Sequence, residues 1–571
     1  MNDTIMIVFY GVMLLLLFAS ASDKVCMKLQ PALREESAAR WRGILQRLYW
    51  PAFLLCLACG IAVRSAYFGE FPMDLNQDGT MAGVEALSLL RSGRDHHGIA
   101  WPTYFKAWDR SQMSTLYSYI LIPFVYLFND LNPFILRLPM LVASVLSLVI
   151  IWDLARRMLG KNFALLVLFV AATNPWQIMQ SRWALEANLL PHVFLLGAYL
   201  LYIGREKKWA LYLSMAVFAL TPYAYGVACF STPAFLMIVA AYYLSRKIVR
   251  PVDVIICIAI FLGISWPYFY TMAINAFGLE TAYIGPFTMP YFENSERAND
   301  LVFGRDNPYL AMVSNLYDHF GTYLYKAPQG EYNMMPWAGI MFTFLTPVYV
   351  YGGFKLWRER RRAARIDSQS AICDSGMLML GWLCAAIFSG IMIGGVTNRN
   401  NVVYYPLMLL SAYGLYEMGK RLKGALVAAV LMICIAFSGF CVTYFTDEGF
   451  RRDVEDTYHK GLYTALSETW DWDYDRYYVA NVPDIHLMFA HQIDYRMLNE
   501  EIELNNRAGE PTGWYYSERY EFVKFKELEL DPTECAVYII NQREKPLFNE
   551  EEYVITDYGK YAAVYPRYWA E

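Results

Sequence analysis

Charge is scarce in this chain: Asp, Glu, Lys and Arg make up 18% of its 571 residues, against 57% hydrophobic and 17% aromatic. That balance, with a positive mean hydropathy, excludes a water-soluble globular protein and points to a chain that crosses a bilayer many times. Cysteine outside the apolar stretches is nearly lacking. Of the cysteines at 26, 56, 59, 229, 257, 373, 384, 434, 441 and 535, only Cys535 lies well clear of the spans and their flanks, so no disulfide framework is implied. Cys56 and Cys59 have CxxC spacing, but inside an apolar span, where small buried residues explain them better than a metal site does. Internal repeats and low-complexity tracts are lacking too, which excludes a repeat array.

The net charge of −5 says little about partners, because a membrane protein sorts its basic residues by side. Residues 1–20 are apolar and run into Ala19-Ser20-Ala21, yet they lack a basic n-region. Lys24, Lys28, Arg34, Arg40, Arg42 and Arg47 come next, so the reading is a retained first helix with its N-terminus outside rather than a cleaved signal peptide. The spans predicted lie near 1–20, 48–65, 134–152, 163–179, 188–203, 209–225, 228–245, 252–271, 337–356, 376–393, 401–417 and 423–442, with both termini outside. The segment 115–128 is hydrophobic but short and contains Pro123, so it reads as a helix lying in the outer leaflet. In that register the basic clusters at 156–161, 205–208, 246–250, 355–365 and 420–423 all face inward, while the three short loops opposite hold only Arg182 and Arg399.

The fold expected is therefore a polytopic α-helical membrane domain over 48–443, preceded by the helix 1–20 and a cytoplasmic segment 21–47. It carries two long external intervals, 66–133 and 273–336. The second is rich in Tyr, Phe, Pro and Asn, with Arg297, Arg305, Asp306, His319 and Lys326, and suits a loop that folds over a membrane-facing site. From 444 to 571 the composition becomes that of a small soluble α/β domain, with strand-like runs at 476–480, 536–541, 553–556 and 561–565.

Candidate chemistry concentrates in the first external interval. Asp78, in Gln-Asp-Gly before a helical pattern starting at Thr80, reads first as a helix cap, a role that can coexist with that of a carboxylate able to take a proton from a hydroxyl. Arg182 and Glu186 stand four residues apart at an outer span end, where a shared helix face serves an interfacial pair as well as a site. Arg399, in Asn398-Arg399-Asn400, has the same two readings. Lys106 and Arg110, among Trp101, Tyr104, Phe105 and Trp108, suit a lipid phosphate or an interfacial belt. His96-His97 is a weak metal signal, since adjacent side chains seldom reach one ion and no third ligand is evident.

In this order the features resemble the GT-C superfamily of membrane glycosyltransferases, in the branch of protein O-mannosyltransferases and bacterial aminoarabinose transferases (glycosyltransferase family 39-like). The resemblance runs from about 48 to 415. It is carried by the acidic first loop with its helix and Gly93, Ser118-Tyr119, Leu136-Arg137-Leu138-Pro139, Asn174-Pro175-Trp176, Ser181-Arg182 to Glu186, and Asn398-Arg399 to Pro406. It implies transfer of a sugar from a polyprenyl-phosphate carrier to a glycan, lipid or protein acceptor outside the cytoplasmic membrane, with no nucleic acid involved. Where relatives often show Asp-Glu this chain has Asp78-Gly79, so the base maps to Asp78, and Glu85, Asp74 or Glu186 is left to supply a second acid. Arg182, Arg399 and Lys106 are the expected phosphate ligands. The chemistry requires no cofactor, with a divalent metal as the alternative. The competing function classes are a transporter or flippase of lipid-linked glycans and a glycan polymerase or ligase.

Overall fold

The computed structural model describes residues 3–29, 35–107, 111–293, 301–325, 333–367, 370–394, 397–480, 482–495 and 520–569. Helices α1 Asp3–Ala21, α2 Asp23–Leu29 and α3 Glu35–Ser65 lead to α4 Gln77–Ser92, the hairpin β1 Tyr104–Ala107 and β2 Ser111–Ser114, and α5 Leu116–Phe128. The membrane part continues through α6 Pro133–Leu159, α7 Lys161–Ala172, α8 Pro175–Gln180, α9 Glu186–Ile203, α10 Lys208–Ala219, α11 Thr221–Ala224, α12 Ala228–Ser245 and α13 Pro251–Phe277. A second hairpin, β3 Ala282–Ile284 and β4 Phe287–Met289, and α14 Pro308–Phe320 precede α15 Thr346–Ile366, α16 Ala371–Met392, α17 Tyr404–Arg421 and α18 Lys423–Thr446.

A helix stands at each of the twelve predicted spans. Among the described residues eight helices are long and apolar enough to cross a membrane: α1, the last part of α3, α6, α9, α12, α13, α16 and α18. The other four depart from their predicted bounds for identifiable reasons. The span at 163–179 is interrupted after α7, where Asn174 caps a new turn by accepting the Gln177 N–H at 2.9 Å and Pro175 opens it. The span at 209–225 divides at Pro222 into α10 and α11. The span at 337–356 begins only at Thr346 and runs on into the basic stretch ending at Arg365. The one at 401–417 starts at Tyr404 and is buried along nearly its whole length, so it meets protein rather than lipid. Helix α5, at 13 residues, extends about 20 Å and cannot cross a hydrocarbon core of about 30 Å.

The tail folds as predicted in kind. Helices α19 Glu448–Thr457, α20 Leu462–Glu468 and α21 Ile485–Ala490 accompany β5 Arg476–Ala480, β6 Tyr520–Val523, β7 Ala536–Asn541, β8 Tyr553–Asp557 and β9 Tyr561–Pro566. The five strands form one sheet in the order β6-β5-β7-β9-β8, with β5 parallel to both β6 and β7, and β9 antiparallel to β7 and β8. This domain rests on α4. A β-carbon on Gly83 would meet the Phe489 ring at 2.5 Å, so only glycine lets α21 come this close. Arg91 donates to the Gln492 carbonyl at 2.8 Å. The Asp74 carboxylate accepts the Gly461 N–H and, at 3.1 Å, the Thr464 hydroxyl.

Burial raises the Asp74 carboxyl from 3.8 to about 6, against the pull of those hydrogen bonds and of Arg137. The folded state therefore holds this proton over a range where the unfolded chain has lost it, and stability falls as pH rises from 3.8 to about 6. Thermal unfolding of the solubilised protein across that range should show this decline, and Asp74→Asn should flatten it; an unchanged slope in the variant contradicts the assignment.

Candidate active site

The stretch between α3 and α4 has little regular structure, so its carbonyls need partners in apolar surroundings. Two buried arginines, Arg137 and Arg182, supply them, and a third, Arg64, ties the end of α3 to α7. Arg64 reaches the carbonyls of Gly60, Ala171 and Ala172 at 2.9–3.3 Å and the Gln177 side chain at 3.1 Å. Arg137 donates to the carbonyls of Pro72, at 2.9 Å, and Asp74. Arg182 donates to those of Arg64 at 3.0 Å, Phe71 at 3.3 Å, and Ala66. Arg182 is 0% exposed, its ring neighbours are Tyr444 and Phe445, and burial lowers its affinity for a proton. The guanidinium expected to face a donor phosphate is instead occupied by backbone. Nor do Arg182 and Glu186 share a helix face, because α9 begins only at Glu186.

This bracket sets the start of α4. The helix is capped not by Asp78 but by Asn76, whose Oδ1 accepts the Gly79 N–H at 3.1 Å and the Trp183 indole N–H at 2.9 Å. Asp78 stands half-buried in the first turn, where the helix N-terminus favours its charge. A β-carbon on Gly79 would lie 3.2 Å from the Ala184 carbonyl, so the segment leading into α9 touches the beginning of α4. Glu186, 4% exposed, opens α9. The next carbonyl, of Ala187, accepts the Asn401 amide from the 3₁₀ segment Thr397–Val403, which also carries half-buried Arg399. The fold thus brings together the three segments that carry Asp78, Glu186 and Arg399.

Around Arg399 lies a polar cavity of about 640 Å³ lined also by Arg305, Asp306, Asn315, Asp318 and Gly394. Across α14 an apolar cavity of about 270 Å³ is lined by Leu316, His319, Tyr323, Tyr349, Leu383 and Leu407, among others. Polar contacts mark the boundary between them: the Tyr323 hydroxyl meets His319 Nδ1 at 3.0 Å and takes the Asn400 amide at 2.7 Å.

The remaining candidates lie elsewhere. Asp74 anchors the tail, as described. Glu85 is fully buried and accepts both the His96 backbone N–H, at 3.0 Å, and its Nδ1, at 2.7 Å. Lys106 is half-buried on β1, in register with Gln112. Trp108, Arg110, Arg297 and Lys326 fall outside the described residues. Among the described residues no group of three or more His, Cys, Asp and Glu side chains is placed to hold a metal ion.

Residues 113–283 match the family model described as dolichyl-phosphate-mannose-protein mannosyltransferase. That stretch lies within the part of the chain whose sequence resembles the GT-C superfamily of membrane glycosyltransferases. The matched part holds Arg182 and Glu186 and leaves out Asp78 and Arg399. Two crystal structures of ArnT from Cupriavidus metallidurans, apo and bound to undecaprenyl phosphate, are 11% identical to it over 92% of this chain and 98% of theirs, with TM-scores of 0.49 and 0.48. The Archaeoglobus fulgidus oligosaccharyltransferase in complex with Zn and sulfate is 13% identical over 78% of this chain and 62% of its own, with a TM-score of 0.45. No curated protein matches.

The Glu85–His96 pair went unread in the sequence, where the two lie eleven residues apart with no periodicity to join them. Burial opposes a charge on His96, but Glu85 beside it raises the ring from 6.5 to about 9. Its stabilising contribution is complete below pH 6.5 and is lost as pH rises through about 9. Glu85→Gln should flatten the decline in melting temperature over that window; a wild-type slope in the variant means the pair does not carry it.

Proposed function

We propose that the chain moves a monosaccharide from a polyprenyl-phosphate donor to a hydroxyl acceptor on the extracytoplasmic side, by inverting displacement. One observation carries the reading: a polar cavity with two arginines stands against an apolar one across a single helix. A lipid phosphate needs that pairing, with cations for the headgroup and an apolar wall for the chain. The side follows from the basic loops, which cluster at the opposite ends of the helices.

Asp78 takes the proton of the acceptor hydroxyl, and the oxygen attacks the anomeric carbon. The bond from that carbon to the phosphate oxygen breaks, and the polyprenyl phosphate leaves with the electron pair. Arg399 and Arg305 receive the developing charge, each guanidinium offering a planar fork of donors that suits phosphate oxygens. Glu186, at the junction of the same segments, orients the acceptor. Arg182 acts at a distance, by holding the backbone that positions α4. The leaving group is charged from the start, so the chemistry as drawn requires no metal; a chelator should leave transfer unchanged, and loss of activity restored by a divalent ion would add one to the site.

With purified protein in lipid and a panel of labelled polyprenyl-phosphate monosaccharides, Asp78→Asn should lower turnover by about 10²-fold or more while leaving the melting temperature unchanged. Arg399→Ala should raise the apparent KM for the donor more than it lowers kcat. Near-normal turnover in Asp78→Asn removes it as the base, and an unchanged donor KM in Arg399→Ala removes the phosphate assignment.

A further inference from the structure

A second groove lies at the other end of the bundle, away from α4 and Arg399. It runs between α9, α10, α12 and α13, holds about 260 Å³, and is walled by apolar side chains such as Leu211, Met237, Val249, Ile258 and Phe261. It opens sideways: Met237 is 67% exposed, Ile258 53% and Leu262 49%. In a membrane that opening meets lipid.

The groove starts at a cationic edge. Val249, in its wall, stands between Lys247 and Arg250, and Leu211 follows Lys207 and Lys208 by one helical turn. The side chains of Arg250 and Lys208 are 69% and 53% exposed, although both reach Asp253, at 3.3 and 2.8 Å. Lys207, Lys208, Arg246, Lys247 and Arg250 outnumber the acids of this edge, Asp253 and Glu206. Trp209, 58% exposed beside Lys208, marks the headgroup level, where indole rings gather.

We infer that this groove binds an anionic phospholipid, with an acyl chain along the apolar wall and the phosphate among Lys247, Arg250 and Lys208. An acyl chain leaving bulk lipid gains little from an apolar wall, because lipid tails are equally apolar. Selection therefore comes from the edge, where each basic residue near an anionic headgroup contributes about a fivefold preference. The apolar groove sets a lipid apart from a soluble anion, since it continues directly below the cations.

Native mass spectrometry of the full chain, with phosphatidylglycerol and phosphatidylcholine of identical acyl chains, tests this. Wild type should retain phosphatidylglycerol selectively, and Lys247→Gln and Arg250→Gln should each cost about fivefold of that preference. Ala240→Phe, which fills the groove, should lower binding of both lipids, while excess inorganic phosphate should displace neither. Melting temperatures equal to wild type establish that the variants are folded. Wild-type selectivity in both charge variants overturns the site; so does undiminished lipid binding in Ala240→Phe, or displacement by phosphate, since either leaves only a headgroup contact.

Discussion

Three buried guanidinium groups hold the segment on which everything else rests. Residues 66–76 leave a membrane helix and lead into α4 with little regular structure, in a region where carbonyls find little water. Arg137 and Arg182 take up carbonyls along that path, and Arg64 joins the end of α3 to α7; each is no more than 1% exposed. A guanidinium suits this work because its donors fan out in one plane and its charge is spread, so it reaches several oxygens at once. Desolvating the charge is costly and is offset only if nearly every donor is used. The arrangement is accordingly rigid, and it fixes where α4 begins.

That rigidity reaches the chemistry through contacts rather than distance alone. The Asn76 oxygen joins the start of α4 to Trp183, and the Ala187 carbonyl joins the start of α9 to the segment bearing Arg399. Asp78, the proposed base, and Arg399, the proposed phosphate ligand, are thus carried on one connected frame. The tail domain adds to the frame from outside, since α21 and the Asp74 clamp press on the same helix. Helix α14 completes the boundary, with Ser314, Asn315 and Asp318 among the residues lining one cavity and Leu316 and Phe320 among those lining the other.

Most of the architecture was legible in the sequence because two strong patterns carry it: long apolar runs with basic residues on one side, and short alternating runs in the tail. Four of the five tail strands lie where predicted; β6, four residues after a long polar stretch, offers no comparable signal. The misplaced span bounds have local causes, chiefly Pro175 and Pro222. Asp78 reads as a helix cap in the sequence, but the cap of α4 is Asn76, two residues earlier. Arg182 holds backbone carbonyls, and in a sequence an arginine at a span end looks the same whether it faces a phosphate or a carbonyl. Arg64 was the available clue to the bracket: a charge within an apolar run signals an unusual partner. The Glu85–His96 pair exists only after folding.

The account turns on the two cavities that meet across α14 being a single donor site. Photocrosslinking of the purified protein in lipid with a polyprenyl phosphate carrying a diazirine in its first isoprene units tests this directly. Labelling confined to peptides from α14, α15, α16 and α17, and suppressed by unlabelled polyprenyl phosphate, is the result predicted. Labelling that avoids those helices, or that unlabelled carrier does not suppress, would contradict it.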